Sequence, residues 1–251
     1  MTAALDSKLF AEGPARDARF DVVDRWAEMV NLPVSDPLRR CEFFHRQMNE
    51  EVDSLECSAR HLVDFPDADW SLRMSLARQC ADEARHSAMF RRVLEGRGGR
   101  VGQFPVLNFQ YRIITMIDSL VGRLAVQNRS FEAGGLDAIA FEIEHNRTEG
   151  DGELAELFEA QMADEITHVR FANVWIHASK KKNPRAVLQM GTALTTASEA
   201  FNLVMGKEGT EGAMYPADTE GRMEAGFDRE EIDQAVAIAA SIRGEERGGN
   251  L

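Results

Sequence analysis

The chain repeats one hexapeptide frame: Ala81-Asp82-Glu83-Ala84-Arg85-His86 returns as Ala163-Asp164-Glu165-Ile166-Thr167-His168, 82 residues later. Both copies read A-D-E-x-x-H. On a helix, residues three apart are neighbours on one face, so each copy sets a carboxylate beside an imidazole. That donor pair suits divalent transition metals. A single Glu-x-x-His is a weak signal, because the spacing arises often on solvated helix faces. Glu142–His145 is a third instance and reads as a plain surface pair.

Helix phase separates the repeated copies from chance. Glu83 lies seven residues after Leu76, three after Cys80 and seven before Phe90, on the stripe that should be core. Glu165 lies seven after Phe158, three after Met162 and four before Val169, again on the apolar stripe, and His86 and His168 follow each Glu on the same stripe. Unpaired charge on a core stripe costs several kcal/mol unless it is paired or metal-bound.

Two further carboxylates complete the pattern. Glu51 follows Phe44 by seven and Met48 by three, and Glu132 follows Leu124 by eight. Glu51 precedes Glu83 by 32 residues and Glu132 precedes Glu165 by 33. The chain thus reads as two helix hairpins, each giving one Glu and then one Glu-x-x-His. Glu56 and Asp137 each follow their hairpin's first Glu by five; they are either spare carboxylates near the site or solvated flanks. Glu50 rivals Glu51, since an 82-residue offset maps it onto Glu132, but helix phase favours Glu51. Four carboxylates balance two divalent cations, so the set suits two Fe ions, or Mn with Fe. The competing reading is a polar bundle core with two hydrogen-bonded Glu–His pairs.

The elements that must position these residues are helical, and alternating strand patterns are scarce. The spacing predicts helices from about Asp36 to Val63, Asp69 to Leu94, Val106 to Asn146 and Glu153 to Lys181, with a shorter one near Arg19–Met29. Gly134-Gly135 interrupts the third, as a break, a bulge or a helix end. A further helix from Ala186 to Met205 leads into a Gly-rich loop and two short helices, the second opened by a capping box at Asp228–Glu231. The expected fold is all-α: a four-helix bundle over about residues 40–182 within a single domain of 1–251. Additional helices flank it at the N-terminus and over about 185–245.

This constellation resembles the ferritin-like di-iron carboxylate proteins. The stretches Glu51–Glu56 through Phe65-Pro66-Asp67-Ala68, Arg129-Ser-Phe-Glu-Ala-Gly-Gly-Leu-Asp137 and Arg222-Met-Glu-Ala-Gly-Phe227 resemble, within that group, a less characterised bacterial ferritin-like family. The resemblance implies Glu51 and Glu132 as single ligands, Glu83 and Glu165 as bridging carboxylates, and His86 and His168 as nitrogen ligands. It makes Asp82 and Asp164 the acids that orient the ligating histidines, with Glu56 and Asp137 as further carboxylates around the ligands. Two positions depart from oxygenase relatives: Leu136 stands where several carry Thr, and Gln161 where the arylamine N-oxygenase branch has an extra His.

The function expected is a di-iron oxidase or oxygenase using O2 on a small organic substrate. The alternatives are iron or peroxide handling, and a bundle with structural metal. About 40 residues before the bundle and 69 after it favour the substrate enzyme, for which they can form walls or a lid. No CxxC pair accompanies the three cysteines, so reducing equivalents are expected from a separate electron donor or from the substrate. With 29 basic against 42 acidic residues and a net charge of −13, a nucleic-acid partner is disfavoured. No long apolar run suggests a membrane span, and no secretory signal stands out in MTAALDSKLF. A cytoplasmic setting, with a homodimer admitted, is the expectation.

Overall fold

A computed structural model describes residues 2–11, 13–14, 16–210 and 215–243. The fold is all-α. In chain order it contains α1 (Thr2–Leu9), α2 (Arg39–Asp64), α3 (Trp70–Gly96), α4 (Phe109–Thr115) and α5 (Leu120–Val126). A π-helical turn, Gln127–Glu132, leads into α6 (Ala133–Glu149), followed by α7 (Gly152–Lys182), α8 (Arg185–Thr210), α9 (Thr219–Glu224) and α10 (Arg229–Ile242). The strands β1 (Val22–Val23) and β2 (Val106–Leu107) pair in parallel, Val22 opposite Val106. The chain packs as two compact units. The first comprises the described residues of Met1–Gln127 and Arg185–Glu211, the second those of Asn128–Pro184 and Gly212–Leu251.

The first unit is built on the hairpin α2/α3. Its helices run antiparallel: Ser87 donates to the carbonyl of Met48 at 3.0 Å and Arg73 to that of Leu62 at 3.0 Å. Phe44 and Phe90, both fully buried, stack with centroids 6.2 Å apart. Asp53 on α2 accepts from the amides of Gln110 and Tyr111 at 3.0 and 3.2 Å, so a carboxylate from another helix satisfies the first turn of α4. Burial pushes the Asp53 carboxyl up to about 7, against the pull of Arg16 and the two amides. Gly122 lets α5 approach α8, since a Cβ there would lie 2.7 Å from that of Ala193 and 2.6 Å from Ser119 Oγ.

The second unit is built on α6/α7. Gly150, at φ +80°, ends α6 in the left-handed region, and Asp151 caps α7 by accepting from Leu154 N at 3.1 Å. Ala133, Leu136, Ile166 and Val169 form its apolar core with Ala225, and Met162 and Phe227 pack against that cluster.

Three expectations are corrected. The segment near Arg19–Met29 is strand β1 followed by one 3-10 turn, Trp26–Glu28. Val22 and Val23 pair with β2, and β-branched residues suit that extended state. The predicted third helix is not one rod: β2, α4, α5, the π turn and α6 divide it, and Ser119 caps a new start by accepting from Gly122 N at 3.2 Å. Gly134-Gly135 does not break the helix; both lie inside α6, and the irregularity comes one turn earlier. Third, Glu142 is not on the surface. It is buried, and Asn146 donates to its carboxylate at 3.1 Å, while His145 is exposed and stacks on Phe141. The capping box at Asp228–Glu231 is present. Helix α8 runs past Met205 to a kink at Gly206; the expected loop and terminal extension fall partly on residues 211–214 and 244–245, outside the described residues.

Candidate metal centre

In the first unit, Glu51 on α2 and Glu83 and His86 on α3 are all buried. Each offers a ligand atom, and these atoms lie within 4.8 Å of one another. His86 Nδ1 is 3.2 Å from Glu51 Oε2 and 3.3 Å from Glu83 Oε2. An ionised carboxylate only accepts, so a hydrogen bond along this edge needs the imidazole proton on Nδ1. A divalent cation bound at the same edge would displace that proton. The other oxygen of Glu83 is already engaged: Ser54 donates to Oε1 at 2.8 Å and Gln79 at 3.1 Å. Gln127 in turn donates to Ser54 at 3.1 Å and to Gln110 at 2.9 Å.

Glu50 is placed differently from its neighbour. Arg46 donates to its Oε1 at 3.4 Å and Gln47 to its Oε2 at 2.9 Å, on the partly exposed side of α2.

The second unit repeats the arrangement. Glu132 at the end of the π turn and Glu165 and His168 on α7 are buried, with ligand atoms again within 4.8 Å of one another. His168 Nδ1 is 3.0 Å from Glu165 Oε2. Gln161 donates to Glu165 Oε1 at 3.5 Å, and Asn128 to the carbonyl of His168 at 3.3 Å. Each triad thus holds two carboxylates and one imidazole, a donor set suited to Fe, Mn or Zn.

The remaining predicted residues sit around these triads. Asp82 is half-buried and pairs with Arg78 at 3.3 Å and Arg85 at 3.1 Å on its own helix; Asp164 is half-buried on α7. Glu56 and Asp137 are not solvated flanks. Arg16 pairs with Glu56 and also donates to Asn49 at 3.2 Å and Asn108 at 3.1 Å. Burial raises the Glu56 carboxyl, and the Arg16 guanidinium opposes the shift. Arg222 clamps Asp137 through both of its oxygens, at 3.0 and 2.7 Å. Two histidines outside the frame are also buried. Gly102 N donates to His45 Nε2 at 2.9 Å, and both ring nitrogens of His61 lack a hydrogen-bond partner among the described residues.

Sequence reasoning passed over Gln79. It stands four residues before Glu83, as Gln161 stands four before Glu165, so the repeat extends one turn upstream of the hexapeptide and could have been found by lengthening the frame. Ser54 carries no such signal, because the matching position after Glu132 is Gly135.

The chain belongs to the family described as "Protein of unknown function (DUF455)", which matches it over residues 2–233. A relative from Haemophilus influenzae, described as "Uncharacterized protein", is 25% identical over 167 residues. The match covers 66% of this chain and 54% of the relative, so the chain spans about half the relative's length. No solved structure matches it.

Proposed function

We propose that this DUF455 protein is a ferritin-like non-haem di-iron oxidase or oxygenase that uses O2 to oxidise a small organic molecule. The observation that carries this reading is the pair of buried triads, Glu51/Glu83/His86 and Glu132/Glu165/His168. Their four carboxylates neutralise two divalent ions, which explains why so much acid is held inside the chain. Two reduced irons would supply the electrons that O2 chemistry requires.

The chain's own residues supply geometry. Ser54 and Gln79 hold Glu83 Oε1 and leave Oε2 toward His86, which fixes the direction of that ligand atom. Gln161 does the same for Glu165. The apolar cluster around Leu136, Ile166 and Val169 gives the second triad a dry flank, suited to an organic substrate.

Metal analysis of iron-loaded chain tests the reading. We expect about two irons per chain by the charge count, and loss of at least one in both Glu83→Ala and Glu165→Ala. Glu142→Ala should lose none. An O2 electrode then separates the chemistries. Consumption coupled to an organic product supports the proposal. Iron(II) oxidation far beyond two per chain identifies an iron-handling protein instead, and full metal occupancy in both ligand variants removes the site assignment.

A further inference from the structure

The stretch 129–137, which carries Glu132, and the stretch 222–227, which carries no proposed ligand, face each other in the second unit. Arg222 Nε and Nη2 donate to Asp137 at 3.0 and 2.7 Å, and Nη2 also reaches the carbonyl of Ala133 at 3.1 Å. The amide of Asp218 donates to the same carboxylate at 2.8 Å. The Phe227 ring lies 4.8 Å from the Arg129 guanidinium and 5.6 Å from that of Arg222. Arg129 in turn donates to Glu231 at 2.5 Å. The far side of the strap is tied to α7, where Asn173 donates to the carbonyl of Ala225 at 2.9 Å. The segment from Asp218 to Glu231 therefore grips the chain at Arg129, Ala133 and Asp137, on both sides of Glu132.

Glu132 needs that grip more than a ligand on a regular helix would. It ends a π turn, where the ordinary i→i−4 ladder is interrupted. Gly134 and Gly135 follow at once, each costing about 1 kcal/mol in helix propensity against Ala. Among the described residues a Cβ at either would meet nothing within 4 Å, so no described packing stiffens this stretch from their side. The stiffness has to come from outside the helix. The bidentate fork of Arg222 on a buried Asp137 supplies it with defined direction.

We propose that Arg222 is a positioning residue: through Asp137 and the Ala133 carbonyl it sets Glu132 toward Glu165 and His168. This rests on the metal reading above, and the strap is tested separately from it. The first measurement is hydrogen exchange in the metal-free full chain. Arg222→Gln should speed exchange across residues 127–137 at least about tenfold while the middle of α7 is unchanged. The second is titration with cobalt(II) alone, followed by its visible spectrum. Arg222→Gln should weaken binding by about 10–100-fold, the usual effect of removing an outer hydrogen-bond partner. Arg222→Lys, which keeps the charge and loses the fork, should fall between.

Asp137→Asn preserves shape and serves if Arg222→Gln does not fold; the same acceleration and a smaller affinity loss are expected. A folded Arg222→Gln or Asp137→Asn chain with wild-type exchange at 127–137 overturns the proposal. So does faster exchange with unchanged cobalt affinity. If the wild-type chain binds no cobalt, the metal reading falls, and the exchange result alone decides whether the strap orders the turn.

Discussion

The two hairpins share a pattern of buried carboxylate and imidazole donors and differ in much of what supports it. In α2/α3 the single Glu51 sits in an uninterrupted helix of 26 residues, whereas Glu132 closes a π turn before a helix of 17. The carboxylate five residues on is held by an arginine in both, but Arg16 comes from the segment before the hairpin and Arg222 from the segment after it. Glu83 receives a hydroxyl from Ser54; the equivalent position after Glu132 is Gly135, which has none to give. A repeated donor frame therefore does not require a repeated scaffold. What the two hairpins hold in common is the direction of three donors, and each reaches it by different contacts.

Metal removal is the largest expected perturbation, and it should act on both hairpins. A ligand bound only by the folded state adds about 2.7 kcal/mol at a hundredfold excess over Kd. For a chain of this size that corresponds to roughly 5–10 °C in melting temperature. Differential scanning calorimetry before and after verified chelation measures it. Hydrogen exchange should show protection lost around Glu51 and Glu132 alike; loss in one hairpin alone would break the parallel between them.

Acid should separate the units. Burial, reinforced by the nearby Arg123, holds the His61 imidazole down to about 3 from its ordinary 6.5. Burial likewise lowers His45 to about 4. The unfolded chain binds these protons below about pH 6.5 and the folded chain does not, so this stability is complete above 6.5. It is lost as the pH falls toward the folded values, at about 1.4 kcal/mol per unit for each group. Both residues lie in the first unit, while His145 and His177 in the second are exposed or half-buried. At pH 5, His61→Gln should recover about 2 kcal/mol relative to wild type. Urea midpoints measured from pH 7.5 to 5 check this; parallel curves for the two proteins would count against a neutral buried His61.

The smallest effect belongs to the second unit. Asp228 caps α10 by accepting from Glu231 N at 2.9 Å, and the Glu231 side chain accepts from Asp228 N at 3.1 Å. Asp228→Ala should cost about 1 kcal/mol, seen as fraying at the start of α10 in exchange data. A cost near zero would mean that Arg129 holds Glu231 well enough without the cap.

The six donors were legible because charge on an apolar stripe is a local signal with period 3.6. Glu83 and Glu165 stand out against Leu76, Phe90, Phe158 and Val169 without reference to anything distant in the chain. The helices α2, α3 and α7, which carry five of them, were legible for the same reason, whereas the segmented stretch before Glu132 was not. The straps were not. Arg16 meets Glu56 across 40 residues and Arg222 meets Asp137 across 85, and no periodicity marks partners that far apart. The sequence points to Gly134-Gly135 for the interruption because glycine is the visible breaker, whereas the inserted residue in a π turn has no composition of its own. Glu142 was misread since Asn146, one turn later, satisfies it inside the unit, and a buried carboxylate with a neutral partner looks like any surface acid in sequence.

The interleaving of the two units sets an order for synthesis. The first unit takes its last helix, α8, from beyond the 128–184 hairpin, and the second waits for α9 and α10. On the ribosome, α2/α3 emerges before α6/α7, but the first unit cannot finish its packing until α5 meets Ala193 on α8, some 70 residues after Gly122. By then the whole of α6/α7 is already outside the exit tunnel, carrying Glu132, Glu165 and His168 without the Asp218–Glu231 segment. A nascent chain at this stage exposes an apolar surface that Ala225 and Phe227 will later cover, and such intermediates are the ones prone to aggregate. The same threading means that no contiguous fragment contains either unit whole without part of the other.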